Sequence, residues 1–111
     1  MTVNLFGIKA CDTCRKAAKE LSASGIDVIF RDIRDQPLSA ENILRFCQAF
    51  GEAAINRRST TWRELDETAR LEAPESLLAQ YPTLLKRPVL EGPGGLTIGW
   101  DAAVRAAHLA G

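Results

Sequence analysis

At 111 residues, 46% hydrophobic and 25% charged, the chain has the size and composition of one soluble globular domain with a single core. Fourteen Lys and Arg offset fourteen Asp and Glu, which excludes a global field that would draw it to nucleic acid or an anionic membrane. No stretch reaches the ~20 apolar residues of a membrane span, no basic-then-apolar leader precedes the first strand-like run, and three cysteines are too few for a disulfide scaffold, so a cytoplasmic monomer is expected.

Residues 3–8 are rich in strand formers and read as a buried first strand whose end is loosened by Gly7. Residues 12–24 place Cys14, Ala17, Ala18 and Leu21 at i, i+3, i+4 and i+7, one face of an amphipathic helix, with Gly25 suited to the left-handed position after it. Residues 27–31 form a second strand that Pro37 breaks. Ser39 caps a helix expected to carry Ile43, Leu44, Cys47 and Phe50 inward. After the polar loop Asn56-Arg57-Arg58-Ser59, Thr61 and Glu64 make a capping box for a helix bearing Trp62, Leu65 and Ala69. Pro74 opens another helix through Leu77, Leu78 and Tyr81, and Pro82 closes it. Residues 88–91 and 96–100 read as a hairpin turning at 92–95. Asp101 caps an alanine-rich last helix that ends about Leu109, with His108 on its surface.

This β-α-β, helical stretch, β-β-α order is that of a thioredoxin-like (glutaredoxin-like) α/β fold. It has a mixed four-stranded sheet and a helical insertion at about 38–82, all in one domain over 1–111. The chemistry concentrates at Cys11-Asp12-Thr13-Cys14, two thiols at a strand-to-helix junction, which reads as a redox motif. Cys11 falls at the helix N-terminus, where unpaired N–H groups and the helix dipole favour a thiolate. The charge of Asp12 opposes that unless it points to solvent. Cys14 fits the buried face and is read both as a core residue and as the thiol that resolves a mixed disulfide; Cys47 is read as packing. A zinc site would need Cys47 and His108 and lacks a second paired spacing, so no metal and no bound cofactor is expected.

Lys9 and Arg15 flank the dithiol, and Arg57, Arg58 and Arg87 lie in two further loops. They are solvated charge or an anion pocket for the thiolate and a carboxylate or oxyanion. Pro88 stands where thioredoxin-like folds carry a cis-proline facing the active-site cysteine, which favours Arg87 as a neighbour of Cys11.

Four segments then carry a resemblance that runs nearly end to end: 7–17 around the cysteines, 56–63 (Asn-Arg-Arg-Ser-Thr-Thr-Trp-Arg), 85–90 (Leu-Lys-Arg-Pro-Val-Leu) and Gly99-Trp100. On these the chain resembles the ArsC/Spx/YffB family of thioredoxin-like proteins, the YffB-like branch most. The resemblance implies a cytoplasmic thiol–disulfide oxidoreductase with Cys11 as nucleophile; Cys14, where many YffB-like proteins have no cysteine, is a departure, and the reading of the residues makes it the resolving thiol. Arg58 (or Arg57) and Arg87 would hold thiolate and substrate, with Lys9 beside them, and Pro88 would offer backbone to a thiol peptide. Glutathione is the implied co-substrate, glutathione or glutaredoxin the partner, and a small oxyanion or a disulfide the substrate. Two alternatives stay open. One is a glutaredoxin-dependent arsenate reductase, although the third arginine of that group falls near Gly99 here. The other is an Spx-like redox regulator that binds RNA polymerase, although this chain lacks the longer C-terminal extension of those regulators.

Overall fold

A computed structural model describes residues 1–109. Six α-helices and four strands occur among them, and the chain divides into two compact units. One is Met1–Ile33 with the chain from Arg87 onward; the other is Arg34–Lys86.

The first unit holds the sheet. β1 (Thr2–Gly7) runs parallel to β2 (Asp27–Asp32) and antiparallel to β3 (Val89–Gly92), which pairs antiparallel with β4 (Gly95–Ile98), giving the order β2-β1-β3-β4. This mixed sheet is the one expected from the element order. Helix α1 (Asp12–Ala23) returns the chain from β1 to β2 and buries Cys14, Ala17 and Leu21, three of the four residues predicted to face inward. They close a core with Val3 and Leu5 of β1, Ile26 and Leu90, and Ala18 packs at its margin. Alternate residues of a strand share a face, so Val3 and Leu5 enter this core together. Gly25 follows α1 with φ +81, the left-handed conformation glycine adopts without steric cost.

Helix α6 (Ala102–Leu109) begins at Asp101, whose carboxylate accepts the Val104 N–H at 2.9 Å. His108 is not on the surface, as expected from sequence, but 6% exposed, with Nε2 2.8 Å from the Thr97 hydroxyl of β4. The alanines of this helix are exposed, and His108 instead turns toward the sheet. Burial holds its pKa below the ordinary value, so the ring is neutral near pH 7.

The second unit is helical: α2 (Ala40–Phe50), α3 (Thr60–Glu64), α4 (Glu67–Arg70) and α5 (Pro74–Gln80), with 3₁₀ turns at Gly51–Ala54 and Pro82–Leu84. Ser39 caps α2, accepting the Asn42 N–H at 3.1 Å. The inward face of α2 is Ile43, Phe46 and Cys47, while Leu44 is 51% exposed. Spacing of i, i+3, i+4 selects Phe46 and leaves Leu44 about 100° off that face. The cap of the next helix is Ser59 rather than Thr61, because the Ser59 hydroxyl accepts the Trp62 N–H at 3.1 Å. The Thr61 hydroxyl instead bonds that of Thr83 at 2.9 Å. Asp66 caps a separate helix, so the single element expected over Trp62, Leu65 and Ala69 is two.

Candidate active site

Cys11 is the N-cap of α1, with extended backbone (φ −82, ψ 120). Its own N–H donates to the Ile8 carbonyl at 2.9 Å, and its carbonyl accepts the Arg15 N–H at 3.0 Å. The segment between strand and helix is thereby closed into a tight turn, and Lys9, exposed in that turn, donates its N–H to the Asp32 carboxylate at 2.9 Å.

Gly7 explains how the second thiol is placed. A Cβ at this position would stand 2.5 Å from the Cys14 Sγ and 3.1 Å from a Leu5 methyl. Only the missing side chain allows α1 to lay Cys14 directly against β1, and Cys14 is fully buried there. In the sequence Gly7 reads as a loosened strand end, with no sign of this close approach.

Cys11 is half-buried. Burial alone would raise its pKa. The Cys14 N–H and thiol, the Arg87 guanidinium and the Thr13 N–H outweigh that and hold the thiol below its ordinary value of 9.0. The uncharged side chain makes no capping hydrogen bond, so these groups act on the anion once it forms. Asp12 points to solvent and pairs with Arg15, which removes the expected opposition to the thiolate. Cys14 behaves oppositely. Burial, reinforced by the adjacent Cys11 sulfur and only partly countered by the Ile8 N–H and Arg87, pushes it up to about 12. Two environments one helical turn apart thus separate an ionisable sulfur from a protonated one. Cys47, in the other unit, is raised to about 11 by burial and by Glu75.

The Arg87–Pro88 bond is cis, and Pro88 is buried ahead of β3. Its carbonyl accepts the Gly99 N–H at 2.8 Å, which ties the proline to the turn after β4. Gly99 has φ +83, a region that L side chains rarely enter, and this gives a backbone reason for glycine near the place of the missing third arginine. Replacing Arg87 with Gln should raise the Cys11 pKa. Alkylation of Cys11 near neutral pH should then slow roughly two- to fivefold relative to wild type, followed by mass spectrometry of the labelled peptide. An unchanged rate would show that the guanidinium does not act on the thiolate.

In the helical unit, Arg57, Arg58 and Lys86 line a hollow of about 520 Å³ together with Glu52 and Asn56. Two backbone bonds, Asn56 N–H to Leu84 O and Lys86 N–H to Ala54 O, both 2.8 Å, tie its two walls together. Arg57 is held by the Glu52 carboxylate and lies over the Trp62 ring, 5.4 Å from its centroid, with Arg70 5.5 Å from the same ring. The Arg58 N–H bonds the Asn56 side chain at 3.0 Å and its side chain is exposed. The pair is therefore divided: Arg57 is braced and Arg58 is the available cation. Glu52 was not singled out from sequence. Among the described residues, no three His, Cys, Asp or Glu side chains group as metal ligands, and no helix is long and apolar enough to cross a membrane.

The sequence profile of the ArsC family matches residues 6–107. The chain belongs to the ArsC family. Among solved structures, the YFFB protein is 34% identical to this ArsC-family chain, with TM-score 0.87 over 96% of this chain and 98% of that one. An arsenate reductase (ArsC) related protein of Brucella melitensis is 39% identical, with TM-score 0.75 over 97% and 94%. The global transcriptional regulator Spx of Bacillus subtilis (strain 168) is 30% identical over 105 residues, 89% of this chain and 80% of the regulator. The family thus includes both arsenate reductase-related proteins and Spx regulators.

Proposed function

We propose that this ArsC-family protein is a glutathione-linked thiol–disulfide oxidoreductase with the Cys11 thiolate as nucleophile. The observation that supports the reading most is the split between the two thiols, with Cys11 lowered at a helix N-terminus beside Arg87 and Cys14 raised to about 12 beneath it. The thiolate attacks one sulfur of a substrate disulfide, forming a Cys11 mixed disulfide and releasing the other sulfur as a thiolate that takes up a proton. Glutathione then attacks the mixed disulfide and Cys11 departs as thiolate. A second glutathione cleaves the glutathione–substrate disulfide so formed, releasing the remaining substrate thiol and glutathione disulfide. A low thiol pKa makes Cys11 a good leaving group in the second step. Cys14 remains a proton donor to the sulfur rather than the group that expels it. When Cys11 is in a mixed disulfide, its charge no longer raises Cys14, but burial, the largest cause, remains. Separately, within the helical unit, the exposed hollow with Arg58 and Lys86 has the cations to take a carboxylate or another anion.

The test is mass spectrometry of the intact protein after exposure to oxidised glutathione. A glutathione adduct on Cys11 that persists equally in wild type and Cys14→Ser is expected. A rapidly formed Cys11–Cys14 bridge in wild type would transfer the resolving step to Cys14 and refute an external one. Spx-like regulation has the Bacillus relative behind it, but no contact among the described residues selects it.

A further inference from the structure

The hollow of the helical unit contains one residue that works against the anion pocket described above. Arg57, Arg58 and Lys86 bring three positive charges to its lining, and Glu52 brings one negative charge to the same lining. That carboxylate is bonded to the Arg57 guanidinium. Trp62 lies beneath the same guanidinium, and its own N–H is capped by Ser59. The arginine is therefore braced from below by the indole and already engaged by an internal carboxylate. An incoming anion meets two available cations and must either share or displace Glu52 at the third.

We propose that Glu52 is a specificity-determining residue: it occupies Arg57 as an internal anion and tunes the hollow toward singly charged ligands, against doubly charged tetrahedral oxyanions. The inference rests on the reading that this hollow takes an anion. Its physical basis is that Coulomb energy scales with ligand charge. Lowering the potential of the site by one nearby carboxylate therefore weakens a dianion twice as much, in logarithmic terms, as a monoanion of the same shape. The Arg57 terminal nitrogen bonded to Glu52 is also withheld from an incoming oxyanion. Glu52 and Arg57 are both more than half exposed, with side-chain exposures of 68% and 54%. Their pairing thus contributes little to folding and can be altered without loss of structure.

The test uses sulfate and methanesulfonate, which share a tetrahedral head but carry two charges and one. Each is titrated at low ionic strength into the full chain, and the backbone amide resonances of Asn56, Arg58 and Ser59 are followed by NMR. In Glu52→Gln, methanesulfonate should bind about threefold tighter and sulfate about tenfold tighter than in wild type. Glu52→Asp, which keeps the charge, should retain the wild-type ratio. All variants should melt with wild type. Equal gains for the two anions, or no gain for sulfate in a wild type that binds it, would overturn the role of Glu52 while leaving the anion pocket standing. No saturable shift with either anion, or binding unaffected by Arg58→Ala, would overturn the pocket itself and the proposal with it.

Discussion

Replacing Cys11 with Ser should lower glutathione-dependent reduction of a small disulfide by at least about a thousandfold, measured by coupled consumption of the glutathione reductase cofactor. The reason is chemical rather than structural. A serine hydroxyl fits the same half-exposed N-cap position and is a favoured capping residue, so the sheet unit should fold and melt unchanged. It does not ionise near neutrality and cannot form a bond that glutathione will break. The N–H groups at the start of α1 and the Arg87 guanidinium would face an oxygen they cannot activate. A residual rate above about one tenth of wild type would move the chemistry to another sulfur. The remaining two thiols are poor candidates, since both are buried and raised to about 12 and about 11.

The second large effect is expected from a methyl group. Gly7→Ala puts a carbon 2.5 Å from the Cys14 sulfur, inside contact distance, with a Leu5 methyl at 3.1 Å on another side. Cys14 and Leu5 are both fully buried, so neither can swing out to solvent. Overpacking of this kind costs about 1–3 kcal/mol, which for a chain of this size lowers Tm by roughly 5–15 °C. The same push moves the Cys14 thiol relative to Cys11 and so weakens one of the groups that favour the thiolate. Two readouts should therefore change together, the melting temperature and the pH dependence of Cys11 alkylation. Adding Cys14→Ala to Gly7→Ala removes the colliding sulfur, and the pair should recover about 1 kcal/mol relative to the sum of the single changes. Additive losses would mean that Gly7 matters for the strand alone.

Much of this architecture was legible in the sequence because the signals are local and periodic. Cys14, Ala17 and Leu21 announce the inner face of α1, Asp101 announces α6, and the order of strands gives the sheet. The misreadings arise where two local signals compete or where only tertiary contact decides. Ser59 and Thr61 can both cap a helix, and the partner that occupies Thr61, Thr83, is 22 residues away. Leu44 adjoins Ile43 in sequence, and the stricter i, i+3, i+4 spacing gives the inward place to Phe46. His108 has no periodic signature in a run of alanines; Thr97 on β4 makes it a core residue. For the site, the cysteines and arginines were visible as residue types. The role of Gly7 and the bracing of Arg57 by Glu52 and Trp62 were not, since each depends on a partner placed by the fold.

The reactivity of Cys11 against pH decides most directly whether the account holds. Because Cys14 and Cys47 stay protonated well above neutrality, alkylation between pH 5 and 9 should label Cys11 alone. The account predicts a rate that rises with pH through a midpoint clearly below 9.0 and that plateaus before the other thiols react. A midpoint at or above 9.0, or equal labelling of Cys14, would contradict it.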